Sequence, residues 1–317
     1  MIKQQSSFPY ICIVIIPPYL KPGDTIALTA TARSITPQQI EPSVKFMESK
    51  GFKILIDPDL FNVHNQFGGD DNERAELFNK LLRNPDVRAL WNVRGGYGTG
   101  RMVDGIQFDL LKQDPKWLIG FSDYTVIHGH ADRQIGMATM HATMPIFMYE
   151  KSGKDYEDVS MAHESLYKAL SGEELNYDLR EAHQLKVRDF EGEVVGGNLS
   201  VLISILGTAS EPNFDNRILF IEDLDEYYYH IDRMMQNLKR SGRLAKLKAL
   251  LVGSFIQMHD HQVSFGMNER QIIVEHCKEY DFPIIFDVNS GHHLQNMAIP
   301  FGVPAKFQNG ILTFAGR

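Results

Sequence analysis

The chain has 317 residues, 43% apolar and 23% charged, which is ordinary globular usage and suggests two domains or one large one at roughly 100–200 residues per domain. It carries 32 Lys and Arg against 40 Asp and Glu, a formal charge of -8, so it lacks the basic excess expected of a nucleic-acid binder. Two cysteines, Cys12 and Cys277, exclude a disulfide framework and a cysteine-rich zinc site, and they suit a reducing compartment.

No run reaches the roughly 18–20 apolar residues of a membrane span. Tyr10 to Ile16 is a short apolar run behind a single Lys3, and Pro17-Pro18 follows with no small-residue cleavage site. Residues 1–16 therefore read as an extension rather than a secretion signal.

In the first half, strand and helix patterns alternate. Thr25 to Thr29 is short and β-branched and follows the turn Lys21-Pro22-Gly23-Asp24. Pro37 to Lys50 has Ile40, Val44 and Met47 on one helical face, with Gly51 as its stop. Lys53 to Ile56, Ala89 to Val93 and Trp117 to Phe121 read as further strands, and Asn72 to Leu82 as a helix. This alternation implies a parallel sheet with helices on both faces. Ligands of such sheets sit beyond the carboxyl ends of the strands, which directs attention to the residues after Val93 and Phe121.

Residues 150–189 are polar, with a helix expected from Val159 to Leu170, and read as a connection between domains. A second block opens with Val194-Val195-Gly196-Gly197-Asn198 and a helix from Leu199 to Leu206. Strands are expected at Ile218 to Ile221, Ala249 to Val252 and Pro283 to Phe286, and helices at Ile231 to Arg240 and Glu269 to Glu279.

Arg94-Gly95-Gly96-Tyr97-Gly98 follows the third strand. Its glycines let backbone N–H groups approach a ligand, as an anion cradle or half of an oxyanion hole, or they simply make a tight turn. Gly120-Phe121-Ser122-Asp123-Tyr124 follows the fourth. A serine there is either a nucleophile on a strand-to-helix turn or a helix N-cap. A nucleophile needs a base and an orienting acid. His128 and His130 lie too far along the same helix to reach back to Ser122, at about 1.5 Å per residue, and read as packing or surface residues. His259 and His261, flanking Asp260, read as solvated rather than metal-bound. His292, in the glycine-led loop Gly291-His292-His293-Leu294-Gln295-Asn296, stands at a strand's carboxyl end. Glu222, just after Ile218-Leu219-Phe220-Ile221, opens a run of four acids in five positions that is otherwise a solvated turn.

Taken in order, Arg-Gly-Gly-Tyr-Gly, Gly-Phe-Ser-Asp, Ile-Glu-Asp with Ile231-Asp232-Arg233 behind it, and Gly-His-x-x-x-Asn-x-x-x-Pro-x-Gly resemble the LD-carboxypeptidase family of serine peptidases. That family comprises muramoyl-tetrapeptide carboxypeptidases and the related microcin C self-immunity peptidases. The resemblance runs from about Ile16 to Arg317 and includes the opening Pro17-Pro18-Tyr19-Leu20-Lys21-Pro22-Gly23-Asp24 and Gly196-Gly197-Asn198-Leu199-Ser200.

The resemblance implies an α/β protein of two domains. An N-terminal parallel-sheet domain like class I glutamine amidotransferases spans 17–150, a linker spans 151–190, and a smaller C-terminal α/β domain spans 191–317. It implies Ser122 as nucleophile, Glu222 as acid and His292, the histidine directly after glycine, as base. Backbone N–H groups of Gly96 and Asp123 would form the oxyanion hole. The implied activity is cytoplasmic removal of the terminal D-alanine from murein tetrapeptides by a homodimer without metal or organic cofactor, with no nucleic-acid or membrane partner. Cleavage of microcin C-type nucleotide antibiotics, or muropeptide binding without turnover, are the alternatives. A glutamine amidotransferase would need cysteine where Ser122 stands. Arg94 and Arg233 are the cations by type for a free carboxylate. Two stretches depart from the family pattern: Thr29-Ala30-Thr31-Ala32, where many members carry a Pro-Ser-Gly-like turn, and His141-Ala142-Thr143-Met144-Pro145, where many carry His-Gly-Pro.

Overall fold

The structure, a computed structural model, describes residues 14–316. The expected extension and its apolar run therefore fall mostly outside the described residues, as does Cys12. Ile15 pairs with the segment around Met137, its N–H donating to Gly136 O at 2.7 Å.

The chain forms, in order, β1 (Thr25–Thr29), α1 (Pro37–Ser49), β2 (Lys53–Leu55), α2 (Asp71–Arg83), β3 (Val87–Asn92), α3 (Thr99–Met102), β4 (Trp117–Gly120), α4 (Thr125–Ile135) and β5 (Thr139–His141). There follow α5 (Gly153–Ser171), β6 (Leu175–Asp178), β7 (Gln184–Leu185), β8 (Phe190–Asn198), α6 (Leu199–Ser204), β9 (Ile218–Leu224) and α7 (Tyr228–Arg240). The last elements are β10 (Ala249–Ile256), α8 (Glu269–Cys277), β11 (Ile284–Ile285), β12 (Ile299–Phe301), β13 (Pro304–Gln308) and β14 (Ile311–Phe314).

Two sheets organise these elements. The first has the order β12-β5-β4-β3-β1-β2 and is parallel except for β12. Its central strands are buried along nearly their whole length, which is why Ala89-Leu90-Trp91 reads as consecutive apolar residues rather than an alternation. The second has the order β6-β14-β13-β8-β9-β10-β11-β7, with β8 to β11 parallel and antiparallel strands at both ends.

Local chemistry sets the helix ends. The Asp70 carboxylate accepts N–H bonds from Asn72 and Glu73, while Glu73 accepts from the Asp70 N–H, so α2 begins with orphan donors satisfied at both positions. Gly136, in the left-handed region, ends α4.

Residues 151–190 are more than a connection. Their helix α5 packs against α1, where His163 meets Ser43 Oγ at 2.8 Å, while β6 and β7 become the two edges of the second sheet. The second sheet therefore has eight strands against six in the first, and β12 returns from the C-terminal part to edge the first sheet. Among the described residues no helix is long and apolar enough to cross a membrane.

Candidate active site

Strand β4 carries the chain to Gly120, Phe121 is extended, and Ser122 turns into the left-handed region at φ 64° before a short 3-10 turn leads into α4. A non-glycine residue there costs about 1–3 kcal/mol, which surrounding packing must hold. Phe121 provides that packing: it is fully buried, and its ring meets those of His141, Phe147 and His292. The Gly95 backbone presses on the turn from the other side. A Cβ at Gly95 would lie 3.0 Å from Ser122 Cβ and 3.1 Å from its Oγ. The glycine-rich segment is thus the wall against which the serine stands.

His292 comes from the loop after β11. Its Nδ1 lies 2.6 Å from Glu222 Oε2. Glu222 is fully buried in the carboxyl-terminal half of β9, and the His292 side chain is nearly so. Burial disfavours the imidazolium. The Glu222 charge and hydrogen bond, with help from Asp223, outweigh it and raise the His292 pKa above its ordinary value. Gly291 must be glycine: its φ is 118°, and a Cβ would come within 2.5 Å of Ser254 Oγ and 2.9 Å of Glu222 Cβ. Its N–H donates to Asn296 Oδ1 at 2.8 Å, so the Gly-His-x-x-x-Asn spacing closes the loop on itself.

Ser122, His292 and Gly96 line one cavity of about 610 Å³. Glu222 stands behind His292 rather than in the cavity wall. Asp123 is 5% exposed, and its carboxylate accepts the Thr99 N–H at 2.8 Å, so its side chain serves the fold. Neither the Asp123 nor the Gly96 amide donates to a protein acceptor among the described residues.

The acidic run does not stay together. β9 extends through Leu224, so Glu222 and Asp223 lie buried in a strand and only Asp225 and Glu226 reach the cavity. Asp223 is tolerated there because Asn198 Nδ2 and the N–H groups of Ser200 and Leu224 all donate to it at 2.9 Å. Burial, then the Glu222 charge, push its pKa up to about 7.

Four other histidines have partners of their own. His128 bridges Gly120 O and Thr139 Oγ1, and burial lowers its pKa to about 4. His130 meets Ser210 Oγ. His259 pairs with Asp225 at 2.5 Å, and His261 stacks on Tyr227 and Tyr229. Among the described residues no group of three or more metal-ligating side chains is positioned to hold an ion. Arg94 lines the cavity, whereas Arg233 lies over the Tyr229 ring and does not. Sequence reasoning missed Arg33, which also lines it. The signal was its place directly after the divergent Thr29-Ala30-Thr31-Ala32 loop, at the carboxyl end of β1.

Models of the LD-carboxypeptidase N-terminal and C-terminal domains match residues 26–142 and 191–307. A probable murein peptide carboxypeptidase of Bacillus subtilis (strain 168) is 33% identical over 292 residues, covering 91% of this chain and 90% of its own. A murein tetrapeptide carboxypeptidase of Pseudomonas aeruginosa is 27% identical, covering 90% of this chain and 94% of its own. The microcin C7 self-immunity protein MccF of Escherichia coli is 26% identical, covering 89% of each chain. A solved MccF structure in complex with aspartyl sulfamoyl adenosine shares the fold, with a TM-score of 0.86 at 21% identity over 96% of this chain and 99% of that one.

Proposed function

The chain belongs to the LD-carboxypeptidase family, and on that premise we propose that it is a serine carboxypeptidase removing the terminal D-alanine from murein tetrapeptides. The observation that carries the reading is the 2.6 Å contact between His292 Nδ1 and buried Glu222, with His292 sharing a cavity with a serine on a left-handed turn. It is the arrangement a hydroxyl nucleophile requires: a base, and an acid that orients it.

In the proposed reaction Glu222 accepts the Nδ1–H bond, which leaves Nε2 as the basic nitrogen. Nε2 takes the Ser122 hydroxyl proton as Oγ attacks the scissile carbonyl. The N–H groups of Asp123 and Gly96 meet the oxyanion, where one such donor is worth about 2.7–4 kcal/mol of barrier. His292 then protonates the leaving amine of D-alanine, and water, activated by the same imidazole, releases the acyl group from Ser122. We place this activity in the cytoplasm, in a homodimer acting on soluble murein fragments.

The test is D-alanine release from a tetrapeptide bearing meso-diaminopimelate, by wild type and Ser122→Ala, with EDTA present. Release by the wild type alone is expected. Release by both refutes Ser122 as nucleophile. An aminoacyl sulfamoyl adenylate run in parallel addresses the activity suggested by the MccF relative, and turnover of that compound alone overturns the murein reading.

A further inference from the structure

An exopeptidase has to recognise the free end of its substrate, and the cavity contains the chemistry to do so. Beside Ser122 and His292 it is lined by Arg33 and Arg94. They come from the loops after β1 and β3, adjacent strands of the first sheet. Neither pairs with a carboxylate among the described residues. Arg94 is half-buried, with Nη1 3.4 Å from Ser34 O, next to Arg33. Burial, then the Arg33 charge, lower the Arg94 pKa, so the two guanidiniums are within electrostatic reach of each other.

Arg33 also springs from an anchored backbone. Ser34 N–H donates to Gln66 O, and Gly68 N–H donates to Ala32 O, each at 3.0 Å. Its side chain lies across the glycine segment: a Cβ at Gly96 would stand 2.7 Å from Arg33 Cδ and 2.8 Å from Nε. The acidic residues of the same cavity, Asp225 and Glu226, are already engaged by His259 and His230 at 2.5 Å each. One wall of the cavity therefore holds two guanidiniums with no ion-pair partner among the described residues, in the cavity that Ser122 and Gly96 also line.

We propose that Arg33 and Arg94 together bind the terminal carboxylate of the leaving residue and so restrict the enzyme to chain ends. The inference rests on the carboxypeptidase reading above. A carboxylate offers the planar two-oxygen target that a guanidinium fork matches, and it relieves the repulsion between the two cations. The carboxylate of a C-terminal residue is only three bonds from the scissile carbonyl carbon. A cation that reads it must therefore open onto the same cavity as the serine, which Arg33 and Arg94 do.

The experiment compares two peptides, the meso-diaminopimelate tetrapeptide L-Ala-γ-D-Glu-meso-diaminopimelyl-D-Ala and the same sequence ending in D-alaninamide, on wild type, R33A, R94A, the double variant and R33K. Wild type is expected to prefer the free acid. Each single alanine variant should lower kcat/KM on the acid by about 10- to 100-fold, the range for losing a hydrogen bond to a charged group. The double variant should bring acid and amide to within a few-fold of each other, and R33K should keep part of the preference. Because Arg33 is exposed, R33A tests the proposal even if R94A fails to fold. An undiminished acid preference in R33A and the double variant overturns it. Equal wild-type rates on both peptides also overturn it while leaving the peptidase reading standing. No cleavage of either peptide by wild type overturns that reading and the clamp with it.

Discussion

The backbone N–H of Asn198 donates to Thr125 Oγ1 at 3.0 Å, across the boundary between the two sheets. Thr125 opens α4, three residues after Ser122, and Asn198 ends β8, the strand paired with β9 and Glu222. Both residues are buried. This hydrogen bond thus links the helix that follows the nucleophile to the strand paired with the one that carries the acid.

Thr125→Val keeps the shape and removes the acceptor, leaving the Asn198 N–H buried without a partner. The expected cost is about 1–3 kcal/mol in urea unfolding, together with a fall in kcat exceeding any change in KM. Unchanged stability would show that the contact does not tie the halves together.

Ser122 separates stability from activity. Ser122→Ala and Ser122→Gly should both abolish turnover. The glycine variant should be about 1–2 kcal/mol more stable than the alanine variant, because only glycine adopts the left-handed region without a Cβ penalty. Thermal or denaturant unfolding of the two side by side checks this, and equal stabilities would refute the strain.

The acidic limb of the kcat/KM profile should fall above pH 6.5. His292 acts as a base only when neutral, and its pKa is raised in the folded protein, so protonation removes activity at a higher pH than for a free imidazole. Glu222→Gln removes the charge that raises it. That variant should move the limb to lower pH and reduce kcat by about 10⁴-fold, as when an amide replaces a triad acid and holds the imidazole in the wrong tautomer. A profile unmoved by the substitution would exclude Glu222 as the partner.

Gly291→Ala places a methyl group against Glu222 and Ser254 at a φ of 118°. Backbone strain alone should cost about 1–3 kcal/mol. The displaced His292 should lower kcat at least as much as the stability loss. Full activity in this variant would mean that the loop's close approach to Glu222 is unimportant.

Much of the fold was legible along the chain. β1 begins and ends at the expected residues, and α1, α2 and α7 lie within a few residues of expectation, because buried strands and amphipathic helices write their burial into local periodicity. The histidines of α4 were also readable from helical rise as packing or surface residues, and both are buried and hydrogen-bonded away from Ser122. Less visible was the fate of residues 151–190. β6 and β7 are short edge strands whose pairing is with β14 and β11, more than 90 residues away in sequence, and no local pattern records such partners.

The same division holds at the site. The sequence by itself determined the ordered motifs that carry Ser122, Glu222 and His292, because glycines, a strand-end serine and a glycine-led histidine answer local backbone demands. Tertiary structure alone decided which acids are buried and which reach the cavity, that Arg233 stands aside while Arg33 joins Arg94, and that a threonine hydroxyl meets a backbone amide between two sheets. Those outcomes depend on distances between segments far apart in sequence, and on a desolvation that only the assembled core imposes.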